Sequence, residues 1–215
     1  MESRQAGLQM TTIIDNAIDT VLAQTAHAEF PTLEWEHWHH YSDAIAEKRG
    51  QTPNAPLPKV FRDCIDAMVK RCKGITRDNC FPDHSLYGGG LHRIEQGGFL
   101  ERHLDASLHA VHGWKREYSV ILYLNPQWEP SDAGRFGMTH SLDPLCTSQE
   151  TEWIAPRFNR MTIFRTHEAA RHQVEQYRGT HARKSLALFF FSLDEPQRPL
   201  RTTAQFDPRK ESFNE

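Results

Sequence analysis

The feature that most constrains the fold is a change of texture at Lys73-Gly74. Beyond it come eight short apolar or alternating segments, punctuated by Gly and Pro, at residues 90 to 96, 99 to 104, 117 to 124, 135 to 140, 151 to 155, 160 to 165, 171 to 175 and 184 to 193. Segments of that length with period-two patterning read as strands, and many such strands with turn signals between them make a sandwich or barrel. The expectation is a mainly β fold with helical additions, a double-stranded β-helix or jelly roll of the cupin-like kind flanked by N-terminal helices. Before the change, Ile13, Ile14, Ala17, Val21 and Leu22 recur with helical spacing over residues 10 to 27. Val60, Phe61, Cys64, Ile65, Met68 and Val69 do the same between Pro58 and Cys72. Gly50 to Pro58, with three prolines, reads as a loop. The run from Trp35 to Tyr41 reads as an aromatic helix with histidines at its wet edge, which is favoured over a metal held by His37 and His40. One domain is expected, with helical support over 1–74, a jelly-roll core over 75–195 and a C-terminal extension over 196–215.

Within the strand-rich part, His103-Leu104-Asp105 is followed far downstream by His172. Alternate residues of a strand point the same way, so His103 and Asp105 converge while Leu104 turns into the packing. Two imidazoles and a carboxylate form the facial ligand set of non-heme Fe(II) oxygenases, which leaves coordination positions open. Taken alone the triplet is weak, because a chain with 13 His and 28 Asp and Glu produces such spacings by chance. Its company strengthens it. Arg183, and Ser185 on the same strand face, open the apolar run Leu186 to Phe191. A planar guanidinium beside a hydroxyl suits a carboxylate, and a dicarboxylate such as 2-oxoglutarate would fit between that pair and the metal. Alternation points Lys184 the other way. His109 and His112, in the loop after the triplet, are either substrate contacts or merely solvated. The glycines at 88 to 90 lack the helix start and lysine of a phosphate cradle, and fit a tight turn into the next strand.

Several further motifs recur in order around these residues. They are the run from Pro82 to His92, Gly97-Gly98-Phe99-Leu100, Trp114-Lys115-Arg116, Ile121 to Asn125 with Trp128, Pro156 to Arg160 with Ile163-Phe164, and Arg183 to Leu188. With them, residues 75 to 195 resemble the bacterial branch of the prolyl 4-hydroxylase-like Fe(II)/2-oxoglutarate oxygenases. The resemblance implies that His103, Asp105 and His172 bind iron. It further implies that Arg183, aided by Ser185 and Tyr123, holds the distal carboxylate of 2-oxoglutarate. O2, and ascorbate as a reductant, complete the implied cofactor set. Arg116 matches a position facing the substrate opening, and His92, His109 and Trp114 are further substrate candidates. Related halogenases carry a small residue where Asp105 stands, so its presence implies hydroxylation. Ala133-Gly134-Arg135-Phe136 departs from the Gly-Gly common in relatives, a change expected to alter the substrate side of the pocket. Two extra residues also separate His172 from Arg183, relative to the shorter animal-type spacing.

Composition restricts the partners. A net charge of -3 gives no general attraction for nucleic acid or anionic membrane. No apolar run approaches the length of a bilayer span, and Met1-Glu2-Ser3-Arg4-Gln5 lacks a signal-peptide core. Cys64, Cys72, Cys80 and Cys146 lack Cys-x-x-Cys spacing and read as reduced thiols, so a cytoplasmic protein is expected. The function expected is hydroxylation of an unactivated C-H bond of a small molecule or amino-acid-derived substrate, with 2-oxoglutarate converted to succinate and CO2. A peptidyl-prolyl hydroxylase is the alternative, followed by a non-catalytic jelly-roll binding module and a zinc hydrolase on the same ligands.

Overall fold

The computed structural model describes residues 11–140, 151–195 and 201–207. Its elements in chain order are β1 (Thr11–Ile14), α1 (Thr20–Ala28), β2 (Trp38–Ser42), β3 (Ala46–Gln51), α2 (Lys59–Cys72), β4 (Phe81–Pro82), β5 (Gly90–Ile94), β6 (Phe99–Leu104), β7 (Lys115–Tyr123), β8 (Phe136–His140), β9 (Thr151–Ile154), β10 (Arg160–Arg165), β11 (Ala170–Val174), β12 (Arg183–Ser192) and β13 (Gln205–Phe206). The strands form one curled sheet of antiparallel pairs, ordered β1-β10-β7-β12-β5-β3-β6-β11-β8-β9. β2 pairs with β3, β4 with β12 and β13 with β6. This is a jelly-roll core, and all eight segments read from the alternation are strands.

Period-two alternation on β7 and β12 sorts the interior into two sides. Leu186, Leu188 and Phe190, with Val120 and Leu122, join Phe61, Cys64, Ile65 and Met68 of α2 and Ala23 and Ala26 of α1 in the main core. The other parity, Ser185, Ala187 and Phe189 with Ser119 and Ile121, faces the hollow of the sheet. Near its start β7 breaks step: Phe190 pairs with Tyr118 but Phe191 with Arg116, leaving Glu117 as a bulge. A bulge re-aims the neighbouring side chain, and here it brings Arg116 onto the hollow side with Phe191.

The N-terminal part is less helical than its spacing suggested. Residues 10 to 27 divide into strand β1, built on Thr-Thr-Ile-Ile, and helix α1, whose start is set by Asp19 accepting from Leu22 N at 2.9 Å. β-branched residues favour the strand, and the N-cap fixes where the helix begins. The stretch from Trp35 to Tyr41 is also no helix. Trp38, His39, His40 and Tyr41 lie in β2, the first arm of a hairpin with β3. Asp43 Oδ1 accepts from Ile45 N and Ala46 N, a side-chain turn that folds the chain back. Gly50 and Gln51 accordingly end a strand, and the loop is confined to residues 52 to 58. β3 pairs with both β5 and β6 and so links the two sides of the sheet. Cys64 and Cys72 are buried on α2, where burial pushes both thiols up to about 12. Cys146 lies outside the described residues.

Candidate metal centre and its two cavities

His103 near the end of β6 lies directly across the ladder from His172 on β11, and Asp105 follows β6 immediately. One ligand-type atom from each of the three lies within 4.8 Å of the others. His103 Nε2 is 3.8 Å and His172 Nε2 3.7 Å from the same oxygen, Asp105 Oδ1. The opposite ring nitrogens are engaged: His103 Nδ1 donates to Glu101 O at 2.8 Å and His172 Nδ1 to Ala170 O at 3.1 Å. Such backbone bonds fix the tautomer and leave the Nε2 lone pairs aimed at the common point. Asp105 Oδ2 is likewise occupied, accepting from Ser119 Oγ at 2.9 Å and from Arg116 Nη1 at 3.0 Å, so Oδ1 alone faces the imidazoles.

The electrostatics favour the deprotonated donors that a cation needs. Burial, then the neighbouring His172, lowers His103 to about 3 against the opposing pull of Asp105. Burial alone would raise Asp105, but Arg116, then His172, His103 and the Ser119 hydroxyl, together hold its carboxyl well below the usual carboxylate range. A neutral His103 imidazole, the His172 imidazole and one carboxylate therefore converge, and the donor set fits a divalent iron.

Two cavities meet at this point. The inner one, about 90 Å³, runs between the sheet layers past His92, Arg183 and Ser185. The outer one, about 480 Å³, is bordered by the hairpin, the loop after Asp105 and residues 202 to 206. His103 and Asp105 line both, whereas His172 lines the inner one alone. Arg183 is buried, its Nε donating to Gly134 O at 2.7 Å, with the guanidinium 5.3 Å from the centre of the Tyr123 ring. Burial lowers the Arg183 pKa from its ordinary value.

The other sequence-predicted residues divide. Ser185 and His92 line the inner cavity. His92 is held well below the ordinary imidazole range by burial, then by Lys48 and Arg183. Tyr123 is buried under Arg183 but lines neither cavity, and its hydroxyl makes no hydrogen bond of normal geometry. Arg116 and His109 line the outer cavity, Arg116 stacking 3.6 Å over the Phe189 ring. Trp114 lines neither, packing against Phe81 and His112 instead. Lys184 Nζ donates to His27 O on the helix side. The departure at Ala133-Gly134 falls on the Arg183 side rather than the substrate side. Gly134 has a φ of +63°, and an added Cβ would come within 2.6 Å of Tyr177 and 3.3 Å of Arg183 Cδ. The sequence reading missed Ser119, whose inward parity with Ile121 was its signal, and Lys48, which had none.

The comparisons agree with this geometry. A sequence profile of the 2OG-Fe(II) oxygenase superfamily matches residues 89–191, the span holding His103, Asp105, His172 and Arg183. Over these residues the chain is similar to the 2OG-Fe(II) oxygenase superfamily. This superfamily uses Fe(II) and 2-oxoglutarate. A Pseudomonas putida prolyl-4-hydroxylase is similar in fold, with a TM-score of 0.62 at 19% identity over 86% of this chain and 94% of its own. A Trichoplax adhaerens prolyl hydroxylase, solved in complex with a hypoxia inducible factor peptide fragment, gives 0.60 at 17% identity over 86% and 84%. HygX from Streptomyces hygroscopicus, solved with nickel and 2-oxoglutarate, gives 0.59 at 13% over 86% and 83%, and was also solved with hygromycin B. A search of curated protein sequences found no match. Among the described residues no helix is long and apolar enough to cross a membrane.

Proposed function

We propose that the chain is an Fe(II)- and 2-oxoglutarate-dependent hydroxylase acting on an unactivated C-H bond of a small molecule or amino-acid-derived substrate. One observation carries the reading: three donor atoms converge at the junction of a narrow cationic cavity and a wider mixed one. His103, Asp105 and His172 would hold the iron, which when bound couples oxidative decarboxylation of 2-oxoglutarate to oxygen activation. Arg183 and Ser185 bind the cosubstrate's far carboxylate. Ile121, Phe136 and Phe164 line the inner cavity, the two phenylalanine rings packed against His172, and these apolar walls exclude water there. Arg116 and Ser119 fix Asp105 so that one oxygen stays directed at the metal position.

The outer cavity is where a substrate C-H bond would lie against the centre, and its volume suits a compact molecule. Structural relatives have been solved with a peptide fragment and with hygromycin B. The hairpin and residues 202 to 206 narrow this cavity and favour the smaller class. Anaerobic titration of the apo protein with Fe(II) and 2-oxoglutarate, following the visible charge-transfer band of the chelate, tests the reading. A band in the wild type that needs more cosubstrate in Arg183→Ala supports it, and the absence of a band overturns it.

A further inference from the structure

The inner cavity contains a cation that the proposed chemistry has not used. Lys48 sits on β3 between the pairing of Glu47 with Phe99 on β6 and that of Arg49 with Arg93 on β5. Alternation puts it on the same face as buried Ala46 and Gly50, turned into the hollow. Lys48 is half-buried, and its ammonium is within electrostatic reach of Asp105. Its cross-strand neighbour is Tyr41, whose ring centre lies 5.2 Å from Nζ. Lys48 lines both cavities and stands 55 residues before His103, outside the residues matched by the superfamily.

The charges of the inner cavity do not balance. Asp105 is its sole lining carboxylate, and that group is already held by Arg116 and Ser119. Lys48 and Arg183 both line it as cations, and no ion pair among the described residues involves either. Enclosing a charge without a counter-charge is unfavourable, so two such cations in one cavity are complementary to a ligand with two carboxylates. Lys48 lines the same cavity as Asp105 and Arg183 and interacts electrostatically with both, so it shares the space between the metal centre and the far anchor.

We infer that Lys48 is a second carboxylate anchor, holding the keto-acid end of 2-oxoglutarate while Arg183 holds the far end. The inference rests on the proposed oxygenase reading and adds to it a residue from the N-terminal hairpin. It explains why a polar strand is inserted between β5 and β6: the hairpin supplies the charge that the core lacks.

Two ligands separate the ends. 2-Oxoglutarate has both carboxylates, whereas 2-oxobutanoate keeps the keto-acid end and lacks the distal one. Dissociation constants for 2-oxoglutarate by anaerobic calorimetry on the Fe(II)-loaded full chain, and for 2-oxobutanoate by displacement, are compared in wild type, Lys48→Met, Lys48→Arg and Arg183→Met. Lys48→Met is expected to weaken both ligands by a similar factor, about tenfold or more, as befits loss of a charged hydrogen bond. Arg183→Met is expected to weaken 2-oxoglutarate alone, and Lys48→Arg to recover much of the lost affinity. Unchanged 2-oxoglutarate affinity in Lys48→Met overturns the inference while leaving the oxygenase reading intact. Weakening of 2-oxoglutarate with 2-oxobutanoate unaffected also overturns it, since Lys48 would then serve the distal end. Failure of the wild type to bind 2-oxoglutarate at all is a different result, and refutes the proposed function itself. Iron content and thermal melting of each variant separate a folding loss from a binding loss.

Discussion

The two cavities that meet at His103 and Asp105 are built from different parts of the chain. The inner one is walled by strands of the sheet, with Ser119, Ile121, Ser185, Ala187 and Phe189 supplied by alternation on β7 and β12. The outer one is walled largely by connections and termini: Tyr41 and Asp43 at the hairpin tip, Ala106 to His109 in a loop, and Thr202 to Ala204 beside β13. Rigid strands suit a cosubstrate of fixed length, and loops can vary without disturbing it. The difference teaches where specificity is free to change.

That division can be broken most completely at the shared centre. His172→Ala removes a donor and is expected to lower Fe(II) affinity by about 100-fold or more and to abolish succinate formation, measured by iron content after anaerobic loading and by product assay. Retention of full 2-oxoglutarate turnover would remove His172 from the ligand set. Ser119→Ala takes one hydrogen bond from Asp105 Oδ2 but leaves Arg116. Metal affinity should drop roughly tenfold, read by competition with a chelator.

A pH series sharpens the inner side. Burial, opposed by Asp105 and reinforced by Arg183, lowers the Lys48 ammonium to about 8. The groups facing it are His103 on β6, Asp105 just after it, His92 on β5, Arg183 on β12 and Tyr41 on β2. Binding a carboxylate needs the charged form and raises its pKa, so affinity is full below about 8 and is lost as pH rises above it. Isotherms should show 2-oxoglutarate weakening by up to about tenfold between pH 8 and 9 in the wild type, with Lys48→Met flat over that interval. The smallest effect belongs to the outer wall. Thr203→Val should leave both Fe(II) and cosubstrate dissociation constants within about twofold of wild type, because it lines the outer cavity alone. A larger change in either would show that the two cavities are not independent.

The eight strands of the core were legible because their side chains alternate or run apolar. β2, β3 and β13 were not. His-His-Tyr-Ser and Ala-Glu-Lys-Arg-Gly-Gln read as polar rather than as strands; β3 is set by pairing with β5 and β6, and β2 by pairing with β3. β1 was concealed by an apolar spacing that helix α1 continues. At the centre, the i, i+2 placement of His103 and Asp105 was readable, and the structure brings His172 and Arg183 to the same hollow. Lys48 could not have been picked from 25 Lys and Arg, because nothing local marks a charge that points inward. The inward turn of Arg116 depends on a bulge at Glu117 that appears only once β12 is paired.

Asp207 forms ion pairs with Arg102 and Arg171, the residues immediately before His103 and His172, and Phe206 stacks on the His103 ring at 5.0 Å between centroids. One carboxylate thus ties the two ligand strands together from a position 36 residues beyond Arg171. During synthesis at about 5–20 residues per second, that interval takes roughly 2–7 s. Through that window a growing chain has made all three donors but not the clamp that steadies their strands. The geometry of the donor set therefore depends on a residue that lies outside the span matched by the superfamily.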